Sequence, residues 1–206
     1  KFTVFLQDQK ITESKSDLKS FLYLVVSYSN NYHRSQHFFH KIELIITMLT
    51  KKIQEYFKNT EIFHIFQTNK RLLLFLFNQG IITATDEIFN IITNNKLYNQ
   101  HKYLEYFYPE FQLYMNEETK NSIKSHIQEL NESKIDVFNE KRQKGENDQY
   151  ITELIRNDQV IDFISYINKT NISPSSTIQA SIYETNLFLL NKNPSLIEYS
   201  AFSDSI

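Results

Sequence analysis

Three histidines and a glutamate near residue 40 are the side chains best suited to metal chemistry. His33, His37, His40 and Glu43 follow one another at spacings of four, three and three residues, so a helix would bring them toward one face. Imidazole and carboxylate groups are common zinc ligands, but the zinc-protease pattern with a glutamate inside the histidine pair is absent. The spacing therefore favours structural roles, with His37 and His40 hydrogen-bonded to backbone at a helix entry, and we expect no metal.

Other arrangements that are typical of catalysis are missing or have a structural explanation. Asp86 and Glu87 precede an apolar stretch, where acidic side chains stabilise a helix N-terminus. The only glycines, Gly80 and Gly145, are isolated, and no Gly-x-Ser-x-Gly elbow occurs. With no cysteine, the chain has no disulfide, thiolate nucleophile or Cys-ligated zinc. We therefore expect a chain that is not an enzyme and has no catalytic residue, small-molecule substrate or cofactor.

The charge of the chain gives no general attraction to nucleic acid or to an anionic membrane. The 22 Lys and Arg residues are balanced by 24 Asp and Glu residues, for a net charge of −2. A local basic cluster, Lys141, Arg142 and Lys144, is flanked by Glu140 and Glu146 and is typical of a solvated hinge. We expect neither nucleic acid nor membrane as a partner.

Composition and apolar patterning predict helices. The chain of 206 residues has 2 glycines and 3 prolines, whereas a β-rich fold needs more of both at its turns. The apolar runs at 21–26, 44–49 and 72–77 are far shorter than the roughly 20 residues that span a bilayer. These runs are interpreted as core helices of an intracellular protein, either cytoplasmic or associated with the cytoskeleton. The first residue is Lys1, which suggests a piece of a longer product.

Two long helices are predicted near the N-terminus. Residues 35–58 carry apolar side chains three and four residues apart, which places them on one helical stripe: Phe38, Ile42, Ile45, Leu49, Ile53 and Tyr56. Ser16 and Asp17 are predicted to cap the preceding helix. Its apolar side chains are Leu18, Phe21, Leu22 and Val25.

Two later segments predict helical hairpins of the same layout. In residues 59–83, Thr60 is the predicted cap, Thr68 and Asn69 form the break, and Gly80 ends the second helix. Residues 148–173 repeat this plan with a break at Asn157 and Asp158. Helical hairpins of this size cannot bury their apolar faces alone, so they need neighbours stacked against them.

An aromatic strip lies between the two hairpins. Its candidates for a protein interface are Tyr103, Tyr106, Phe107 and Tyr108, since aromatic side chains bury much area at low entropy cost. The structural alternative, favoured here, is that the strip packs between two lobes. A polar helix with Ile123, Ile127 and Leu130 on one stripe is predicted to follow, before the charged stretch near Gly145.

Five ordered sequence blocks resemble the N-terminal region of a large family of protist ankyrin-repeat proteins. The blocks are NYHRSQHFFHKIE, NKRLLLFLF, YFYPE, KRQKGENDQYITELIRNDQVIDFISYINKTNIS and SIYETNLFLLNKNPSLIEYSAF. In that family a helical domain of uncharacterised function precedes ankyrin repeats. The resemblance implies protein binding through a stack of helices, and for the N-terminal domain it implies no known reaction.

The fixed φ and missing N–H of Pro194 predict that it lies in the first turn of a helix near the end of the sequence. The resemblance predicts that an ankyrin repeat begins there. The carried-over positions are Ser195 for Thr, Ile197 for Leu, Glu198 for His, Ser200 and Ala201 for the alanine pair, and Asp204 for Gly. Leu196 replaces the usual proline, and Asp204 must adopt a turn where glycine is usual.

The sequence thus predicts an all-α protein whose helical hairpins stack into an ankyrin-like α-solenoid. Its domains are an N-terminal helical domain, 1–144, and a hairpin leading into the first repeat, 145–206, with further repeats after residue 206. The predicted function is a non-catalytic scaffold or adaptor that binds a protein partner. The alternative is a structural component of a cytoskeletal or other large assembly. Ile197, Ala201 and Ile206 are predicted to be exposed at the end of the stack, as interaction candidates.

Overall fold

The structure, a computed structural model, describes residues 11–31, 36–94 and 100–203. Secondary structure in these residues is helical apart from one isolated antiparallel bridge between Thr177 and Ser195, which confirms the all-α prediction. The chain divides into two compact units, Lys1–Gln128 and Glu129–Ile206. Of the described helices, none combines the length and apolar character needed to cross a bilayer.

Eight α-helices and a short 3₁₀ helix are described in the first unit. They are α1 Lys15–Asn31, α2 Gln36–Tyr56, α3 Asn59–Phe66, α4 Lys70–Asn78, α5 Asp86–Asn94, α6 Gln100–Tyr106, α7 Tyr108–Phe111, the 3₁₀ helix Gln112–Tyr114, and α8 Glu117–His126. Helix α9, Gln128–Asn131, spans the division. The second unit continues with α10 Ile135–Lys144, α11 Tyr150–Arg156, α12 Val160–Thr170, α13 Leu187–Lys192 and α14 Leu196–Phe202.

The two long helices form as predicted, but the cap of α1 and the buried stripe of α2 use different residues from those predicted. Ser14 caps α1, because its Oγ accepts the amide of Ser16 at 3.2 Å, so the predicted Ser16 and Asp17 cap is wrong. In α2, Phe38 and Ile45 are only half-buried. The buried stripe runs instead through Phe39, Ile42, Ile46, Leu49 and Ile53.

Helices α3 and α4 form the first predicted hairpin. Helix α3 begins at Asn59, one residue before the predicted cap Thr60, and Glu61 Oε2 accepts the amide of Lys58 at 2.9 Å. Asn69 caps α4 by accepting the amide of Leu72 at 2.9 Å. Gly80 has a φ of +64°, which allows the left-handed turn after α4 at low cost.

The predicted polar helix is interrupted. Helix α8 ends at His126, and Ile127 has extended backbone with φ −112° and ψ 107° before α9 begins. Because the backbone turns at Ile127, residues before and after it do not share one straight helical stripe. The side chains of Ile123, Ile127 and Leu130 are nevertheless all buried.

Helix α10 belongs to the second compact unit, so the division comes earlier in the chain than the boundary predicted after residue 144. The physical reason is that Phe138 of α10 packs against Tyr183, with ring centroids 5.7 Å apart. The rest of this unit has an apolar core between α11, α13 and α14. Its buried members are Ile151, Ile155, Ile178, Leu189, Leu196 and Tyr199.

The start of α14 differs from the prediction. Pro194 lies before the cap and not in the first turn, and its carbonyl accepts the amide of Ile178 at 2.7 Å. Ser195 is the N-cap, and its Oγ accepts the amide of Glu198 at 3.2 Å. In return, Glu198 Oε2 accepts the amide of Ser195 at 2.8 Å, which completes a capping box.

Candidate protein-interaction surface

The structure places the four aromatic interface candidates in the interior of the first unit. Tyr103, Tyr106, Phe107 and Tyr108 are all buried. Tyr103 Oη donates to the carbonyl of Gln67 at 3.2 Å, so even its polar atom is engaged within this unit. These side chains stabilise the core and offer no accessible surface to a partner.

The histidine cluster does not assemble in the described part of the chain. His33 lies outside the described residues, and His37 is exposed on α2. His40 Nδ1 lies 3.7 Å from Glu43 Oε2, and the His40 side chain is 67% exposed. Among residues 11–31, 36–94 and 100–203, no three His, Asp or Glu side chains are grouped so that they could hold a metal ion.

The C-terminal candidates lie on α14. Ile197 is 60% exposed and Ala201 is also exposed, while Ile206 lies outside the described residues. An isoleucine this exposed on a helix gains little from folding and is available for contact with another surface. The predicted accessibility of Ile197 and Ala201 is thus present in the structure.

Ile197 forms one wall of an apolar groove in the second unit, which we call the α12–α14 groove. Its volume is about 280 Å³. Lining side chains come from α11, α12, α14 and the loop before α13, and they include Leu154, Val160, Phe163, Ile164, Pro174 and Ile197. Exposed apolar patches mark protein interaction sites and ligand-binding grooves.

Helix α12 lines one side of the α12–α14 groove through Val160, Phe163 and Ile164. None of its residues is buried, although it is amphipathic. Val160 is 50% exposed, Ile161 84% and Ile164 49%. The sequence predicts a second helix in this hairpin that carries Val160, Phe163, Ile164 and Ile167, and this prediction leaves out Ile161. The sequence does indicate that part of this helix stays exposed, because adjacent apolar residues at 160 and 161 make an apolar band too wide for one buried face.

One formal charge lines the α12–α14 groove. Asp158 occupies the turn before α12 with a φ of +51°, a left-handed conformation that Asp tolerates better than most residues. Within the described residues its carboxylate makes no hydrogen bond or ion pair. The neighbouring Arg156 is engaged elsewhere, since it donates to Tyr199 Oη at 2.7 Å and lies 3.2 Å from Glu146 Oε2. The groove is therefore apolar with an acidic edge.

The basic segment Lys141–Lys144 is occupied by structural contacts. Lys141 Nζ donates to Glu129 Oε1 and, at 2.8 Å, to Asp148 Oδ2. Lys144 Nζ lies 3.1 Å from Glu140 Oε1. Arg142 is buried with its guanidinium carbon 5.0 Å from the centre of the Phe138 ring. These contacts make the segment part of the second unit's structure and not an open basic patch.

Burial opposes ionisation of the Glu129 carboxyl and of the Tyr183 phenol, which both lie beside Lys141. For Glu129, hydrogen bonds from Lys141 and Tyr183 outweigh burial and lower the pKa of the carboxyl below its ordinary value. For Tyr183, burial and the hydrogen bond to the Glu129 carboxylate both raise the pKa of the phenol. The cluster is thus a fixed ion pair with a neutral tyrosine, which ties α9, α10 and the loop near residue 183 together.

Chemically, the α12–α14 groove can bury apolar side chains of a partner and pair with a cation at Asp158. It does not bring together a nucleophile, a base and an oxyanion donor set, as acyl-transfer chemistry requires. Comparison of the chain with protein-family models, with curated proteins and with solved structures finds no match.

Proposed function

We propose that this chain is a non-catalytic scaffold or adaptor that binds a protein partner through the α12–α14 groove. The observation that carries the proposal is the exposed apolar surface of α12 and α14, where Val160, Ile164 and Ile197 line the groove and Ile161 is exposed outside its lining. Water contact with these side chains is unfavourable, and burying one of them in an interface contributes about 1.5–3 kcal/mol. Such a face favours binding of another apolar surface.

The finer fold proposal is an ankyrin-like solenoid of stacked hairpins in an intracellular protein. Two hairpins with short turns, α3–α4 and α11–α12, support the stacking. The capping box of Ser195 and Glu198 also suits the start of a further helical unit. In a solenoid each hairpin covers the apolar face of the next.

The test compares partner capture by the wild-type chain and by a double variant, Ile161→Asp with Ile164→Asp. Tagged chains are expressed in the native cell, and the recovered proteins are quantified by mass spectrometry. We expect at least one protein whose recovery falls about tenfold or more with the variant, because two isoleucines that the bound partner would cover are replaced by charges. Ile161 is 84% exposed and Ile164 49%, so the fold should persist in circular dichroism and thermal unfolding.

The matched control is Leu113→Asp, which makes the same chemical change at an 86% exposed position in the first unit. This variant should recover the same proteins as the wild type. The proposal fails if the recovery of every protein falls as much with Leu113→Asp as with the double variant. It also fails if the double variant lowers the recovery of no protein.

A further inference from the structure

The two hairpins of the chain have the same layout but differ in burial. In the first, α3 of 8 residues and α4 of 9 residues are joined by the turn 67–69. In the second, α11 of 7 residues and α12 of 11 residues are joined by the turn 157–159. Helix α4 has five buried residues, whereas α12 has none. The first hairpin therefore shows how such a helix looks once a neighbour covers it.

The neighbour that covers α4 is helical and aromatic. The Phe77 ring of α4 lies 5.7 Å from the Phe107 ring and 5.8 Å from the Phe111 ring. Lys70, the first residue of α4, lies 4.7 Å from the centre of the Tyr106 ring. These rings come from α6, α7 and the residue between them, so a short helical segment with apolar side chains three and four residues apart packs against one side of α4.

The uncovered hairpin differs from the covered one in its charge. At the start of α4 the charged residues are Lys70 and Arg71, whose cations lie over the Tyr106 and Phe39 rings. In the turn before α12 the charged residue is Asp158, which lines the groove and whose carboxylate makes no hydrogen bond or ion pair in the described part of the chain, while Asp162 in the first turn of α12 lies outside the lining. A segment that covered α12 would place its own side chains close to the Asp158 carboxylate. A basic residue at that position would be attracted, while an acidic one would be repelled.

We infer that the α12–α14 groove binds an amphipathic helix of a partner protein, with an apolar or aromatic stripe and a Lys or Arg placed against Asp158. The stripe fills the space between Val160, Ile164 and Ile197. This inference rests on the proposed function and adds the chemistry of the partner.

The experiment selects helical peptides from a phage-displayed library of about 16-residue sequences against the intact chain. Peptides that also bind the Ile164→Asp variant are removed. We expect the survivors to share an apolar stripe with Lys or Arg beside it. With Asp158→Asn, affinity should fall about two- to fivefold, as for an exposed ion pair, and added salt should reduce the wild-type affinity similarly. Asn is also tolerated in the left-handed conformation at this position.

A double-mutant cycle makes the assignment specific. Replacing the basic residue of a selected peptide with Gln should weaken binding to the wild type but have no further effect on Asp158→Asn. Asp136→Asn, which removes a carboxylate from α10 outside the groove lining, is the matched control and should bind like the wild type.

Four results would overturn the inference. If the survivors lack a basic residue, or the cycle shows no coupling, the partner chemistry is wrong while the groove still binds proteins. If no peptide depends on Ile164, both the inference and the proposed function fail. If sedimentation velocity shows a dimer of the wild-type chain that Ile164→Asp converts to a monomer, the occupant is a second copy.

Discussion

At the scale of single residues, Glu129 shows how the second unit uses charge for structure. Its carboxylate accepts from Tyr183 Oη at 2.9 Å and from Lys141 Nζ, which in turn reaches Asp148. An isolated buried carboxylate would be costly, but one with two donors is stabilised relative to its protonated form. The sequence suggested a solvated hinge here, because Tyr183 is far along the chain from Lys141 and their contact leaves no local pattern.

Glu129→Gln should therefore destabilise the chain in a pH-dependent way. At neutral pH we expect a loss of about 1.5–3 kcal/mol, the range for a hydrogen bond to a charged group. Because the pKa of Glu129 is lowered in the folded state, its stabilisation is present above the ordinary value of 4.5 and is lost as pH falls through the lower folded value. Urea unfolding at pH 7 and at about pH 3, with wild type and variant compared, measures this.

The control for that experiment is Glu153→Gln, which removes an exposed carboxylate from α11 in the same unit. It should change the free energy of unfolding by less than about 0.5 kcal/mol. The difference in free energy of unfolding between wild type and Glu129→Gln should shrink at low pH. A difference that stays equal or grows would contradict the role assigned to the ion pair.

At the scale of helices, the sequence predicts helix breaks and ends correctly where a single residue determines the backbone conformation. The break at Thr68 and Asn69 and the stop at Gly80 are present, because an Asn cap and a left-handed glycine act within one turn. The bend at Ile127 was missed, since Ile has no intrinsic tendency to end a helix. Tertiary packing decides such a bend, and that information is spread over distant residues.

The candidate site likewise depends on tertiary packing that the sequence pattern does not determine. Exposure of Ile197 was predicted from the resemblance, and the structure shows it. For α12 the sequence predicts an apolar stripe that needs a neighbour, because periodicity gives the width of an apolar band but not whether a neighbour covers it. For the aromatic strip, both the core and an interface were open, and only the burial of Tyr106 and Phe107 in the structure assigns them to the core.

Phe111 offers a test of that aromatic core. Its side chain is fully buried, with the rings of Phe77 and Phe89 at 5.8 and 6.2 Å. Phe111→Ala should cost about 3–5 kcal/mol, because it removes apolar burial and leaves a cavity. Leu113→Ala, two residues later but exposed to water, should cost less than about 0.5 kcal/mol. Chemical denaturation of both variants checks this, and a cost below about 1 kcal/mol for Phe111→Ala would remove the strip from the core.

At the scale of the whole molecule, the two hairpins provide an internal comparison of covered and uncovered helices. Helix α4 is held by five buried residues and by the aromatic rings against it. Helix α12 has only half-buried and exposed side chains, so less apolar area is lost to water when it opens. Local opening should therefore cost less free energy at α12 than at α4.

Hydrogen exchange on the intact chain measures this difference directly. After correction for intrinsic rates, backbone amides of Val160–Thr170 should exchange about tenfold or more faster than those of Lys70–Asn78, which corresponds to about 1.4 kcal/mol in opening free energy. A peptide that binds the α12–α14 groove should slow exchange in α12 and leave α4 unchanged, because ligand binding stabilises the closed state. Equal protection of the two helices without any ligand would show that the face of α12 is already covered, and it would remove the basis for assigning binding to this groove.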